Sequence, residues 1–169
     1  LIHKACVRDR IVHHALFRVL EPFFDRRFVF DSYSCRTGKG THRGVFRLAA
    51  FARKASRNNH VPIFALKCDI TKFFDSVDQL ILFELIKNSI HDSFLFWLIS
   101  RIITSFSSRE DKGLPLGNVT SQLFANIYLN EFDQFMKHTL RVRYYLRYCD
   151  DFIILSEDRL YLEKIIPVI

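Results

Sequence analysis

Two β-rich runs near the end of the chain constrain its fold more than any other feature. Residues 142–148 and 152–156 are rich in aromatic and branched side chains, and only Cys149-Asp150-Asp151 separates them. Runs of this kind joined by so short a turn predict an antiparallel hairpin. An apolar run at residues 61–70 predicts a third strand, a buried one, with Asp69 close to its end. Strands set among helices predict an α+β fold.

The remaining segments carry helical periodicity. Apolar side chains recur at helical spacing through residues 12–20, and Glu21-Pro22 is predicted to end that helix. Thr41 is predicted to cap a second helix. Further helices are predicted at about 77–88, at about 92–105 and from Thr120 or Ser121 onward.

Composition narrows the class of protein. With 169 residues, 49% of them hydrophobic and 18 of them Phe, the chain can bury one real core, so disorder is not expected. Lys and Arg outnumber the acids 25 to 18, and the resulting charge of +7 suits a polyanionic partner. The four cysteines lack metal-ligand spacing, and no apolar stretch is long enough to cross a bilayer. A cytoplasmic protein with reduced thiols is expected, and His13 and His14 are interpreted as structural.

Three acidic residues follow the predicted strands. Asp69 comes at the end of the strand predicted at residues 61–70, and Asp150 and Asp151 lie at the hairpin tip. Either site alone is more simply a turn acid, because turns favour Asp. If the hairpin lies beside the strand at residues 61–70, however, the three carboxylates converge. They then repel one another unless cations lie between them. Mg²⁺ suits such oxygen ligands, and two such ions can clamp an in-line phosphoryl displacement.

Three ordered motifs resemble those of reverse transcriptases. Tyr148-Cys149-Asp150-Asp151 resembles the Tyr-x-Asp-Asp box, residues 68–75 resemble the first metal-binding motif, and residues 114–129 resemble the motif that supports template and nucleotide. The resemblance implies a polymerase palm, an antiparallel sheet with helices packed on one face, plus part of a helical fingers region. Residues 1–60 would be partial fingers and the connection to the palm. Residues 61–169 would be palm, ending before the thumb.

The N-terminal part resembles the group II intron-like branch of that family. Residues 8–16 and 20–24 match the branch, and residues 31–42 are similar to the reverse transcriptases of diversity-generating retroelements. Most members of the branch carry Gln and Pro where this chain has Leu116 and Gln122, and the diversity-generating group shares the departure. The basic residues that hold the triphosphate in the branch would precede this chain. The 169-residue chain alone is therefore expected to have little or no polymerase activity.

The resemblance also implies roles for individual residues. Two Mg²⁺ ions, for which Mn²⁺ can substitute, would bind Asp69, Asp150, Asp151 and the Ile70 carbonyl. Phe74 would exclude a 2′-hydroxyl from the sugar site, and an apolar Leu116 would weaken discrimination between base pairs. The remaining nucleotide-binding residues would be Lys72, Phe73 and Gly117, and the primer and template residues would be Tyr148, Arg36, Lys39, His42, Arg43, Ser121 and Gln122.

The implied activity is RNA-templated DNA synthesis, from dNTPs onto a DNA or RNA primer. In the diversity-generating group the copying is error-prone at template adenines, a small basic accessory protein is a partner, and the host is a bacterium or a phage. One alternative keeps the enzyme and changes its context to a retron, a group II intron or an antiviral system. The other is an RNA-binding module that promotes splicing and makes no DNA.

Overall fold

A computed structural model describes residues 6–108 and 110–169 as helices and a small sheet. Within those ranges no helix combines the length and the apolar character that crossing a bilayer requires. The α-helices are α1 (Val7–Asp25), α2 (Thr41–Ala55), α3 (Phe73–Ser76), α4 (Gln79–Lys87), α5 (Ser93–Ile103), α6 (Val119–Gln134) and α7 (Arg159–Ile165). A short π-helix covers Phe135–Thr139, and a 3₁₀ helix covers Ile166–Val168. The strands are β1 (Phe64–Cys68), β2 (Tyr144–Tyr148) and β3 (Asp151–Ser156).

The sheet is antiparallel, with β3 between β1 and β2. Phe64 pairs with Ser156 at one end of β1, and Cys68 pairs with Phe152 at the other. On the opposite side of β3, Tyr148 pairs with Asp151, so the predicted hairpin forms around a two-residue turn. The first turn residue, Cys149, has a φ of 57°. The predicted α+β class with an antiparallel sheet is confirmed.

Several predicted boundaries are wrong. The first helix does not end at Glu21-Pro22 but continues for another turn to Asp25. Pro22 removes one helical hydrogen bond, and burial of Phe24 in the added turn offsets that loss. Gly40, with a φ of 110° and no side-chain hydrogen bond, occupies the position that precedes α2, so Thr41 is the first helical residue and not the cap.

The strand and helix lengths also differ from the sequence pattern. β1 covers Phe64–Cys68 rather than residues 61–70, because the pairing with β3 ends at Cys68. Its residues are exposed or half-buried, so the prediction of a buried strand is wrong. The segment predicted as one helix at 77–88 begins later as α4. Val77 has an extended backbone, and the Asp78 side chain accepts hydrogen bonds from the N–H groups of Leu80 and Ile81, which starts the helix at Gln79.

The chain divides into two compact units, each built from segments distant in sequence. The first unit comprises Leu1–Phe28 and Thr71–Phe132, and the second comprises Val29–Ile70 and Asp133–Ile169. In the first unit, the buried Gln79 amide donates to the carbonyls of Phe106 and Gly113 at 2.7 and 2.9 Å. This fixes the loop that follows α5. The predicted division of fingers and palm at residues 60 and 61 stays a prediction.

The second unit contains the whole sheet, which packs against α2 and α7. A buried apolar cluster joins α2 to the strands, and its members are Tyr33, Phe51, Leu146 and Leu155. The Phe51 and Tyr144 rings lie 5.5 Å apart between centroids. Because this packing holds β2 and β3 against a helix, it also fixes the hairpin that carries the acidic turn.

Candidate active site

The strand register places the three predicted metal-site acids at one end of the sheet. Asp69 follows Cys68, which pairs with Phe152. Asp151 precedes Phe152 and pairs with Tyr148 across the hairpin, and Asp150 lies in the turn between them. In an antiparallel pair, the residue after Cys68 faces the residue before Phe152. The hairpin tip therefore points to the same end of the sheet as the end of β1.

The carboxylates themselves are not gathered around a common point. The Asp151 Oδ1 atom lies 3.1 Å from the Lys67 Nζ atom, and these side chains are 46% and 67% exposed. Within residues 6–108 and 110–169, no three Asp, Glu, His or Cys side chains are close enough to hold a metal ion. An exposed ion pair of this type contributes about 0–1 kcal/mol. Carboxylate oxygens are the ligands that hard divalent cations prefer, and the metal-site assignment stays a prediction.

A buried charged network, which the sequence did not indicate, supports this hairpin. Arg147 on β2 is fully buried, and its Nε and Nη2 atoms donate to the two carboxylate oxygens of Asp133 at 2.8 and 2.7 Å. The Tyr145 hydroxyl donates to the same carboxylate at 2.5 Å. Burial alone lowers the pKa of Arg147, but Asp133 overrides that effect and raises it. Arg147 is therefore charged at neutral pH.

Arg147 also reaches the turn that carries the acids. Its Nη1 atom donates to the Cys149 carbonyl at 2.8 Å, and its Nη2 atom donates to Ser32 Oγ at 3.1 Å. The Arg147 N–H donates to the Asp31 carbonyl at 2.9 Å. Burial, followed by the nearby Asp150 charge, raises the pKa of the Cys149 thiol to about 11. That thiol is protonated at neutral pH and is not a nucleophile.

The basic loop before α2 is near the same end of the sheet. Thr41 Oγ1 donates to the Tyr148 hydroxyl at 3.0 Å, and Tyr148 is 39% exposed. Three of the predicted phosphate-binding cations donate to backbone carbonyls within their own segment: Arg36 to Val29 and Ser32, Lys39 to Phe30, and Arg43 to Gly38. His42 is exposed. These cations shape the loop, and their contacts with a primer or template stay predictions.

The predicted nucleotide-binding residues belong to the first unit. Lys72 is exposed and has a φ of 52°. Phe73 is buried and Phe74 is half-buried, with their rings edge-on at 5.5 Å. The Leu114 N–H donates to the Phe74 carbonyl at 2.8 Å. This bond ties the segment after β1 to the turn that holds Leu116, which is 42% exposed.

The start of α6 carries two further predicted contacts. Ser121 is buried, and its Oγ atom has no hydrogen-bond partner among the described residues, whereas Gln122 is exposed. One turn of the same helix contributes Thr120, whose Oγ1 atom lies 2.6 Å from His13 Nδ1. Burial lowers the pKa of His13. A buried, neutral His13 agrees with its interpretation as structural.

Comparison with known proteins identifies relatives of the chain. The family model described as reverse transcriptase (RNA-dependent DNA polymerase) matches residues 2–169. Protein YkfC of Escherichia coli is 28% identical over 77% of this chain and 35% of its own length. A 91 kDa protein in the cob intron of Schizosaccharomyces pombe is 27% identical over 78% of this chain and 16% of its own length. The chain thus spans about a third or less of these relatives.

A third relative and the solved structures extend the comparison. Nuclear intron maturase 1 of Arabidopsis thaliana is 28% identical over 54% of this chain and 12% of its own length. Apo telomerase from Candida tropicalis has a TM-score of 0.63 at 13% identity, covering 94% of this chain and 33% of that chain. Telomerase from Candida albicans has a TM-score of 0.62 at 12% identity, covering 94% and 31%. Likeness at such identity shows a shared fold.

Proposed function

This chain belongs to the reverse transcriptase family, in its group II intron-like branch, and we propose that it copies RNA into DNA by nucleotidyl transfer to a primer 3′-hydroxyl. The observation that carries the proposal is the register of the sheet. It places Asp69 and the hairpin acids Asp150 and Asp151 at one end of three paired strands. Acids at separate positions in the sequence thereby reach the same end of one sheet, and carboxylate oxygens are the ligands that Mg²⁺ prefers.

Asp69, Asp150, Asp151 and the Ile70 carbonyl would hold two Mg²⁺ ions, with Mn²⁺ as a substitute. When bound, such ions neutralise charge on the phosphates and favour ionisation of the primer hydroxyl. The residues of the chain itself would position the nucleotide and the primer. Phe74 excludes a ribose 2′-hydroxyl, Leu116 and Gly117 pack against the templating base pair, and Tyr148 packs near the primer end. Lys72 and Phe73 complete the nucleotide site.

The proposed substrates are an RNA template, a DNA or RNA primer and dNTPs. Contacts with phosphates dominate the affinity of proteins for nucleic acids, and the chain carries a formal charge of +7. The loop with Arg36, Lys39, His42 and Arg43 lies by Tyr148 through the Thr41 hydrogen bond. These cations would meet phosphates of primer or template, and Ser121 and Gln122 would support the template.

A narrower proposal places the enzyme in a diversity-generating retroelement of a bacterium or a phage, acting in the cytoplasm with a small basic accessory protein. Leu116 and Gln122 support it, because an apolar side chain at position 116 cannot hydrogen-bond near the templating base. The test is primer extension by the full-length protein on a defined RNA, followed by sequencing of the cDNA. Misincorporation concentrated opposite adenine is expected, whereas errors spread evenly over all bases would point to another context.

A second candidate function is RNA binding in splicing without DNA synthesis, and the likeness to a nuclear intron maturase favours it. The variant with Asp150→Asn and Asp151→Asn separates the two. We expect it to abolish primer extension by the full-length protein while RNA affinity, measured by fluorescence anisotropy, stays within about twofold of the parent, because phosphate contacts set that affinity. If RNA-dependent splicing persists in the variant, and the parent extends no primer, the binding function is correct.

A further inference from the structure

We propose that Arg147 is a positioning residue that sets the orientation of the acidic turn, a role that rests on the proposed function. Arg147 lies on β2 immediately before Tyr148, and its guanidinium donates to the Cys149 carbonyl at 2.8 Å. That carbonyl belongs to the peptide that joins Cys149 to Asp150. A hydrogen bond to it therefore fixes the plane from which the Asp150 side chain departs.

The turn needs such support because its own conformation is unfavourable. Cys149 has a φ of 57°, and a residue other than Gly in the left-handed region costs about 1 kcal/mol or more. Asp150 and Asp151 are adjacent carboxylates that repel each other, and the Lys67 ammonium is paired with Asp151 alone in the described ion pair. A charged donor such as guanidinium forms stronger hydrogen bonds than a neutral group, so its bond to the Cys149 carbonyl opposes both effects.

The guanidinium can orient the Cys149 carbonyl because its own orientation is fixed. Asp133, in the last turn of α6, accepts two parallel hydrogen bonds from it at 2.8 and 2.7 Å. Ser32 accepts a further bond at 3.1 Å, and the Arg147 side chain has no exposed surface. Bidentate pairing orients the planar guanidinium as well as binding it. The acidic turn is thus tied to Asp133 and to the segment around Ser32 through one side chain.

A purely structural role for the network predicts different behaviour from a positioning role. Tyr145 donates to the same Asp133 carboxylate at 2.5 Å, whereas the bond to the Cys149 carbonyl comes from Arg147. Tyr145→Phe is therefore a matched control, because it weakens the network and leaves the Arg147 bond to the turn in place. Arg147→Lys does the reverse: it keeps a positive charge beside Asp133 but cannot reproduce the fork that spans Asp133 and Cys149.

The experiment measures Mn²⁺ binding to the full-length protein by electron paramagnetic resonance, together with melting temperature and the kcat and KM of primer extension. Arg147→Lys is expected to weaken Mn²⁺ binding by about tenfold or more, as loss of a group that orients metal ligands does. Its kcat should fall while the KM for dNTP changes little. Tyr145→Phe is expected to lower the melting temperature and to leave Mn²⁺ affinity unchanged.

A third variant separates a loss of Mn²⁺ affinity from a loss of stability. Replacing the buried network with apolar groups, as Asp133→Leu, Tyr145→Phe and Arg147→Met together, is expected to keep the melting temperature near that of the parent yet to bind Mn²⁺ as weakly as Arg147→Lys. Parental Mn²⁺ affinity in Arg147→Lys, or in a folded triple variant, would overturn the positioning role and leave the proposed function intact. If the parent protein neither binds Mn²⁺ nor extends a primer, the proposed function is wrong, and the positioning role is wrong with it.

Discussion

Among the buried polar side chains, His13 has a specific hydrogen-bonding partner. His13 is 8% exposed and lies 2.6 Å from the Thr120 hydroxyl. Burial lowers its pKa, an effect that Asp9 opposes and His14 reinforces. Because the folded state favours the neutral ring, His13 contributes stability that is complete above its unfolded pKa of about 6.5. That stability is lost as pH falls below this value and through the lowered folded pKa.

Replacing His13 should therefore change the pH dependence of stability. We expect the free energy of unfolding of His13→Gln, measured by urea denaturation, to fall less steeply than that of the parent between pH 7 and pH 5, because the variant has no ring to protonate. His91→Gln, at an exposed position away from His13 in the sequence, is the matched control and should follow the parent. Equal slopes for the parent and His13→Gln would contradict the assignment of a buried neutral histidine.

Lys67 forms an ion pair with Asp151. Since a cation bound at Asp151 must displace it, Lys67→Ala is expected to strengthen Mn²⁺ binding by about threefold, in line with the small free energy of an exposed pair. Electron paramagnetic resonance titration of the full-length protein measures the change. Lys67→Arg keeps the competing charge and is expected to bind like the parent. Weaker binding in Lys67→Ala would show that Lys67 supports the site rather than competes for it.

At the scale of elements, the two ends of the sheet in the second unit carry side chains of opposite charge. The acidic turn lies where Tyr148 pairs with Asp151, and the opposite end lies where Tyr144 pairs with Leu155. A groove of about 540 Å³ opens at that opposite end. Glu157 is its acidic member, and its basic lining residues are Lys54, Arg57, Arg141 and Arg143. A groove with this excess of cations suits a phosphate backbone.

The groove should therefore contribute to RNA affinity without contributing to chemistry. We expect Lys54→Gln with Arg141→Gln to weaken binding of a labelled single-stranded RNA and to reduce the slope of log K against log salt by about 0.7 for each phosphate that is no longer bound. Fluorescence anisotropy of the full-length protein at several KCl concentrations measures both quantities. The matched control, Arg26→Gln with Lys87→Gln, removes two exposed cations from other positions. An equal decrease in both variants would mean that net charge, not the groove, sets the affinity.

Local signals predicted the elements better than their ends. The hairpin was predictable because strand composition and a short turn are properties of neighbouring residues. The extension of α1 beyond Pro22 was not, because it depends on burial of Phe24 by residues elsewhere in the fold. For the same reason, the sequence placed the end of β1 too late: the last paired residue is decided by the partner strand, which ends its pairing at Phe152.

At the scale of the whole molecule, the sequence predicted the fold class and which acids share an end of the sheet. It did not predict the Arg147–Asp133 pair, because an Arg in a strand beside a turn ordinarily indicates a solvent-facing position. Nor did it predict two units assembled from alternating segments. Both depend on contacts between residues far apart in the chain, and such contacts leave no periodic signal. The family motifs supplied the metal-site assignment, and the register of β1 and β3 supports it.

The proposed divalent metal site combines Asp69, which follows β1, with the acids of the hairpin. Asp69 tests it most directly, because Asp69 alone comes from outside the hairpin. The decisive measurement is the Mn²⁺ affinity of the full-length protein with Asp69→Asn, beside the exposed control Glu84→Gln. We expect at least about tenfold weaker binding for Asp69→Asn and parental binding for Glu84→Gln. Parental affinity in Asp69→Asn, with binding abolished only on replacing Asp150 and Asp151, would contradict it.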